Sequence, residues 1–377
     1  MEKLKPASQH DPGSSGPLAG IRVVELAGLG PVTFTAMLLA DMGADVVRIE
    51  RPGAETKERG ATLRGRSLLK LDLRDPESRE VAKELCVAAD VLLEGFRPGV
   101  MERLGLGPDE LLGLNRRLVY GRMTGWGQSG PLALAAGHDI NYIAITGALH
   151  AMDDGDGPQV PLNLIGDYGG GALYLATGVL AAVHEASRSG CGQIVDAAIC
   201  DGVVSMLSLV HGLRADGRWL DANRSNMLDG GAPFYRTYRC KDGKDIAIGA
   251  IEPQFYREWR QIAGLTDALF DAQQDRALWP AQHAAAEKVF ATRGRDEWLA
   301  LFAGKDACVA AVRSLAESVE DPHLLQRGAF VQIGGETQPA PAPRFSQTRS
   351  AARASETVAI ATLFERWQGT RAGHSRF

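Results

Sequence analysis

The sequence predicts an α/β fold, with a large Rossmann-like parallel-sheet domain joined to a smaller α+β domain. Three observations carry that reading. Between Ile21 and Met123, short β-branched runs alternate with helical stretches, the pattern of a parallel sheet with right-handed crossovers. From Thr237 to Ile251 the pattern changes to two-fold alternation around the turn Lys241-Asp242-Gly243, with amphipathic helices following. The length, 377 residues, exceeds one average domain.

The elements follow in chain order. Residues 1–16 read as a flexible leader without the apolar stretch of a signal peptide. RVVEL (22–26) is a buried strand, Gly28 to Pro31 a turn, FTAMLLADMG a helix ending at Gly43, and DVVRIE (45–50) a second strand. Strands over 68–73 and 90–94 flank an amphipathic helix over 76–87. A strand over 118–123 leads into the loop TGWGQSGP (124–131). The middle is helical over 140–149 and 169–187, before a strand over 193–199. Helices over 253–262 and 276–293 belong to the second region. A Pro-rich strap (338–346) and a helix over 358–367 form a tail whose docking the sequence does not give.

Composition removes whole classes of function. Hydrophobic residues make up 45% and charged residues 23%, ordinary values for a globular chain. Lys+Arg total 41 against 46 Asp+Glu, a net charge of −5 that argues against a nucleic-acid binder but leaves room for a local basic pocket. Cys86, Cys191, Cys200, Cys240 and Cys308 include no CxxC pair, so no disulfide scaffold or metal site is expected, and a reducing cytoplasm fits. The longest apolar stretch, Leu173 to Val183, is too short to span a bilayer.

Residues 22 to 51 run strand, Gly28-Leu29-Gly30, helix, strand, an order that lets helix N-terminal amides approach a phosphate. Thr33 stands where the dinucleotide fingerprint needs a third glycine, so a tight turn without a ligand is an equal reading. Arginines at element ends favour a ligand. Arg51 follows the second strand, Arg74 the third, Arg97 the fourth, and Arg103 comes one short turn later. Ligands of open parallel sheets bind outside the carboxyl ends of the strands. These cations are therefore expected to converge on a phosphorylated nucleotide, and NADP and coenzyme A both fit.

Three residues stand out for acid–base work. His138 opens a predicted helix after a Gly-rich loop, and an imidazole titrating near neutrality suits a general base. A histidine that only hydrogen-bonds there is the plainer alternative. Asp167, in LIGDYGGG, reads as an N-cap, but three glycines after it are costly in a first helical turn unless a thioester or ligand must pass close by. Glu252 ends an apolar strand before a proline-started helix and could cap that helix or orient a histidine. HExxH and GxSxG are both missing, which disfavours zinc or serine hydrolysis. Two acid–base groups beside a nucleotide-like site point to proton transfer next to a carbonyl.

These segments together resemble the family III CoA-transferase superfamily. PLAGIRVVELAGLGP, LADMGADVVRIERPG, LEGFRPGVMERLGLGP and TGWGQSGP match the whole superfamily. GHDINYIAITGALHA, NLIGDYGGG, NMLDGGAPFY and AIGAIEPQF match its racemase branch, and all run in family order over roughly residues 17–350. The resemblance implies an interlocked homodimer whose active sites are shared between chains. It implies a large CoA-binding domain over 17–200, completed by 321–377, a linker over 201–224 and a small domain over 225–320. The activity implied is epimerisation of a 2-methylacyl-CoA thioester, with CoA as part of the substrate and no separate cofactor. His138 and Asp167 would be the two bases, and Glu252 of the partner subunit would support His138. CoA would touch Leu29, Arg51, Leu71, Arg74, Arg103, Gly137, Asp139, Tyr142 and Asn163; Arg74 matches a position that is lysine in some relatives.

In this scheme one base serves each face of a planar enolate, and amides near His138-Asp139 or after Asp167 stabilise its oxygen. Asp167 must hold a proton part of the time, so apolar surroundings are expected to raise its pKa. The apolar stretch Val203 to Leu209 could line an acyl path, although core is the reading preferred. CoA transfer to a free carboxylate, with Asp167 as nucleophile forming an acyl anhydride, is the main rival. An NADP reductase and a non-catalytic CoA-binding relative come behind it.

Overall fold

The structure, a computed structural model, describes residues 16–28, 30–53 and 60–371, side chains of 368–371 excepted. Residues 1–15 of the expected leader and Leu29 lie outside these residues; Gly16 is described and buried. The chain divides into two compact units. The first collects the chain up to Ile143, Leu162–Met206 and the residues from Gln326 onward; the second holds Ala144–Pro161 and Leu207–Leu325.

The first unit is built on one parallel sheet. Its strands β1 (Arg22–Leu26), β2 (Asp45–Glu50), β3 (Arg66–Lys70), β4 (Val91–Glu94), β5 (Val119–Thr124) and β6 (Ile194–Ala198) lie in the order β3-β2-β1-β4-β5-β6. That is the doubly wound order of nucleotide-binding folds, and its switch point falls between β1 and β4. Pro31 starts the first crossover helix, Pro31–Asp41, where its missing N–H costs nothing. Gly43 ends that segment at φ +98°, packed so closely on Gly16 that a Cβ would come within 2.9 Å of its Cα.

One face of the sheet is apolar. Val24, Val47, Leu69, Leu92 and Tyr120 pack with Leu85 and Cys86 of the helix Pro76–Ala88, and with Leu363 and Trp367 near the C-terminus. The tail is thus part of this core. Glu356–Thr357 adds a parallel strand outside β3, and the Trp367 indole N–H donates to Asp45 Oδ2 at 2.8 Å.

The opposite face carries buried charge, which the reading of β1 and β2 as apolar strands misses. Glu25 on β1 is fully buried between Arg48 on β2 and Arg66 on β3. Arg48 also reaches Glu50 Oε1 at 3.1 Å and Thr33 Oγ1 at 3.1 Å, while Arg66 donates to the Thr33 carbonyl. Strand β3 therefore begins at Arg66, two residues earlier than expected, and ends before Leu71. From Asp72 the chain turns, with the Asp75 N–H on the Asp72 carbonyl.

Two expected helices change. The 140–149 helix breaks into Asp139–Ala144 and Ala148–Ala151 at Gly147, which has φ +88°. The 169–187 helix is a π-helical segment, Leu164–Ala172, continuing as the α-helix Leu173–Ser189.

The second unit has the antiparallel sheet β7 (Tyr235–Arg239), β8 (Asp245–Gly249) and β9 (Val309–Ala311). Gly243 takes φ +75° in the turn joining β7 to β8. Helices Pro253–Ala263, Trp279–Phe290 and Arg295–Phe302 contribute Trp259, Phe290 and Trp298 to a buried aromatic core with Phe234 and Tyr238. Residues 144–161 fall in this unit rather than in the large domain, because Met152–Asp154 and Leu228 line one cleft over its sheet. The span 201–224 takes in the end of the helix Ile199–Met206, in the first unit, and the helix Ser208–Ala215, in the second.

A tight backbone contact in the first unit joins the π segment to the helix Ile199–Met206. A Cβ on Gly202 would sit 1.9 Å from the Gly170 carbonyl oxygen. Gly202→Ala is expected to lower stability by about 3 kcal/mol in denaturant unfolding. Gly113→Ala, whose Cβ would meet open space in the helix Pro108–Leu114, should change it by under about 1 kcal/mol.

Candidate active site

The π segment forms because its turns must be wide. The Tyr168 N–H bonds the Asn163 carbonyl five residues back at 3.1 Å, and Gly170 and Gly171 let the backbone press against Ile199, Val203 and Pro31. The glycines after Asp167 thus serve helix packing. On the other side the Tyr168 ring stacks on Phe34 at 4.2 Å.

This turn holds Asp167 over the β1 loop. Gly30 lies beneath it at φ +63°, and a Cβ there would come within 3.0 Å of Asp167 Oδ2. The Asp167 N–H donates to Asp139 Oδ1 at 2.5 Å. Burial, aided by the Asp139 carboxylate, raises the Asp167 pKa to about 6; His138 acts the other way. Burial also pushes Asp139 up, against the N–H groups of Asp167 and Gly166. His138 is exposed, its N–H donating to Asn141 Oδ1 at 3.0 Å and its carbonyl accepting from Asn141 at 2.8 Å. The structure therefore brings His138, Asp139 and Asp167 together at the carboxyl edge of the sheet.

A protein-family model described as CoA-transferase family III matches residues 18–359. The chain belongs to that family. It is 43% identical over 333 residues to the alpha-methylacyl-CoA racemase of Mus musculus, covering 88% of this chain and 87% of the mouse protein. To the Homo sapiens protein of the same name it is 43% identical over 335 residues, again 88% and 87%. Among solved structures, a CAIB/BAIF family protein from Brucella suis superposes with TM-score 0.78 at 25% identity, covering 94% of this chain and all of that one.

In this family III chain the remaining expected site residues separate into groups. Tyr142 lies against the acid pair: its hydroxyl donates to the Gly137 carbonyl, its ring meets Trp126 edge-on at 4.8 Å, and Asp167 and Asp139 join burial in raising its pKa. Gly137 and Gly125 must be glycine there, since a Cβ on either would fall within 2.6 Å of the Tyr142 ring. Asn163 closes the first π turn through its carbonyl. Arg51 and Arg74 act on the same carboxylate: Arg74 pairs with Asp72 at 2.6 Å, and both cations hold Asp72 below the usual carboxylate range. Arg103 is exposed beside Gly99. Leu71 buries its side chain in the apolar core, leaving only its main chain for a ligand.

Glu252 belongs to the second unit. It is exposed at the start of the helix Pro253–Ala263 without capping it through its side chain, and its carboxylate adds to the burial that raises the Cys308 thiol. Val203 is core, but Val204 and Met206 are 47% and 42% exposed, so the stretch preferred as core is not one. Sequence reasoning weighted Arg51 and passed over Glu25, Arg48 and Arg66: the two arginines grip Gly28 and Thr33, and Glu25 pairs with both arginines. The available signal was charge inside strands otherwise reading as apolar.

A carboxyl raised in the fold binds its proton more tightly folded than unfolded. Its contribution to stability is full below the unfolded value near 3.8 and falls as pH rises through about 6. Asp167→Asn should therefore raise stability at pH 7–8 by about 1–3 kcal/mol and flatten its pH slope between about 4 and 6, read from thermal unfolding across pH.

Proposed function

We propose that the protein epimerises 2-methylacyl-CoA thioesters by removing the α-proton and returning one to the opposite face of the enolate. The observation that carries this reading is the Asp167 carboxyl, raised to about 6 beside an exposed imidazole. An acid of that strength is present in both protonation states near neutrality, as a group that must both take and give a proton requires. In one direction His138 accepts the α-proton as the C–H bond breaks, and Asp167 gives its proton to the α-carbon. In the other the roles reverse.

Of the amides expected to face the enolate oxygen, that of His138 is engaged by Asn141 and that of Tyr168, directly after Asp167, by the Asn163 carbonyl. Asp139 and Ile140 open the helix Asp139–Ala144, where main-chain N–H groups lack partners within the helix, and they are the donors assigned here. Arg51, Arg74 and Arg103 are assigned to the anionic part of CoA. Glu252 of the partner subunit, in a homodimer, is assigned to hold the His138 imidazole.

CoA transfer asks something different of Asp167. A nucleophile works only as the anion, whereas the epimerase scheme also uses the protonated carboxyl that burial favours. The mouse and human relatives carry racemase names, which supports the epimerase reading further.

With a single epimer of a 2-methylacyl-CoA, loss of optical activity should be catalysed by the wild-type chain. His138→Ala and Asp167→Asn should each slow it by about 100-fold or more. If CoA instead moves to an added free carboxylate while the α-carbon keeps its configuration, the transferase reading replaces this one.

A further inference from the structure

Asp139 stands out among charged groups near the site because its side chain is held inward by the fold. Oδ1 accepts the Asp167 N–H at 2.5 Å, and the Gly166 N–H also points at this carboxylate. The contact is tight enough to dictate the neighbouring residue: a Cβ on Gly166 would fall 2.4 Å from Oδ1. Oδ2 is buried and has no hydrogen-bond partner among the described residues. A carboxylate with one oxygen fixed and the other unsatisfied is costly to bury. Such a cost at a site suggests a use for the charge.

We propose that Asp139 is a positioning residue for Asp167: its carboxylate clamps the π turn that aims Asp167 and supplies the negative charge against which Asp167 keeps its proton. This role differs from contact with CoA, and it rests on the acid–base assignment of Asp167 made above. The ionisable groups facing Asp167 are few. Asp139 and His138 act on it directly, and the Tyr142 phenol faces it from the same short helix. Tyr168, on its own segment, stacks away on Phe34, and Asp201 of the packed helix Ile199–Met206 is turned to Cys200 at 3.7 Å. Arg97 acts on Tyr142. Asp139 is therefore the one anion among the described residues that opposes ionisation of Asp167.

Two substitutions separate the clamp from the charge. Asp139→Asn keeps an oxygen for the Asp167 and Gly166 N–H groups and removes the charge; Asp139→Ala removes both. The Asp167 carboxyl is followed by carbon-13 NMR titration, with Asp167→Asn to assign its signal. In Asp139→Asn its apparent pKa should fall by about half a unit or more, and the alkaline limb of the epimerisation rate should move to lower pH by the same amount. Its maximal rate at the new optimum should exceed that of Asp139→Ala. Asp139→Ala should lose more than about tenfold at every pH, because the turn is no longer held. Identical Asp167 titrations in wild type and Asp139→Asn overturn the charge role, and equal maximal rates in Asp139→Asn and Asp139→Ala overturn the clamp. If the wild-type protein does not epimerise the thioester, the functional reading fails. The titration still decides the charge role, and the Asp167 N–H chemical shift in Asp139→Ala, expected to differ from that in Asp139→Asn, then decides the clamp.

Discussion

The site depends on two glycines that allow two pieces of backbone to touch. Gly202 has no room for a side chain against the Gly170 carbonyl, and Gly170 has none against the Ile199 carbonyl and the Val203 N–H. With the two segments this close, the chain after Asn163 winds as a π turn and not as the first turn of an ordinary helix. That winding puts Asp167 above Gly30, where water is partly excluded, and puts its N–H on Asp139. Desolvation then does the chemical tuning: the carboxyl is pushed up because its charged form loses solvent.

The sheet supplies the other half of the geometry. Its order places the loops after β1 and β4 on either side of the switch point, the crevice where doubly wound folds bind ligands. The β1 loop is held from below by ions. Arg48 reaches the Gly28 carbonyl and the Thr33 hydroxyl, Arg66 the Thr33 carbonyl; Glu25 pairs with both arginines and Glu50 adds a second carboxylate on Arg48. Buried ion pairs of this kind are weak evidence of stability. Here they hold Gly28 and Thr33, at the end of β1 and the start of the first crossover helix.

Much of this was legible in the sequence. Alternating apolar runs gave the strands, and prolines at first helical positions marked helix starts, because period and capping are local properties. His138 and Asp167 were legible as candidates because their flanking glycines are locally improbable. The reason for those glycines was not legible, since Gly170 and Gly202 meet across a stretch of chain that no window spans. The same limit hid Glu25 with Arg48 and Arg66: each looks like a lone charge until the strands are laid side by side. The tail was unreadable for a related reason. Its docking rests on Leu363, Trp367 and the Trp367–Asp45 hydrogen bond, a contact between opposite ends of the chain.

The central claim is that two different groups serve the two faces of the α-carbon, with Asp167 entering one direction of reaction already protonated. The direct measurement is the early-time deuterium content of product and of recovered substrate when a single 2-methylacyl-CoA epimer is turned over in D2O. Two bases predict product that carries one α-deuterium from the first turnovers, while recovered substrate stays protiated. Equal deuterium in substrate and product from the outset, the signature of one base exchanging with solvent, would contradict the account.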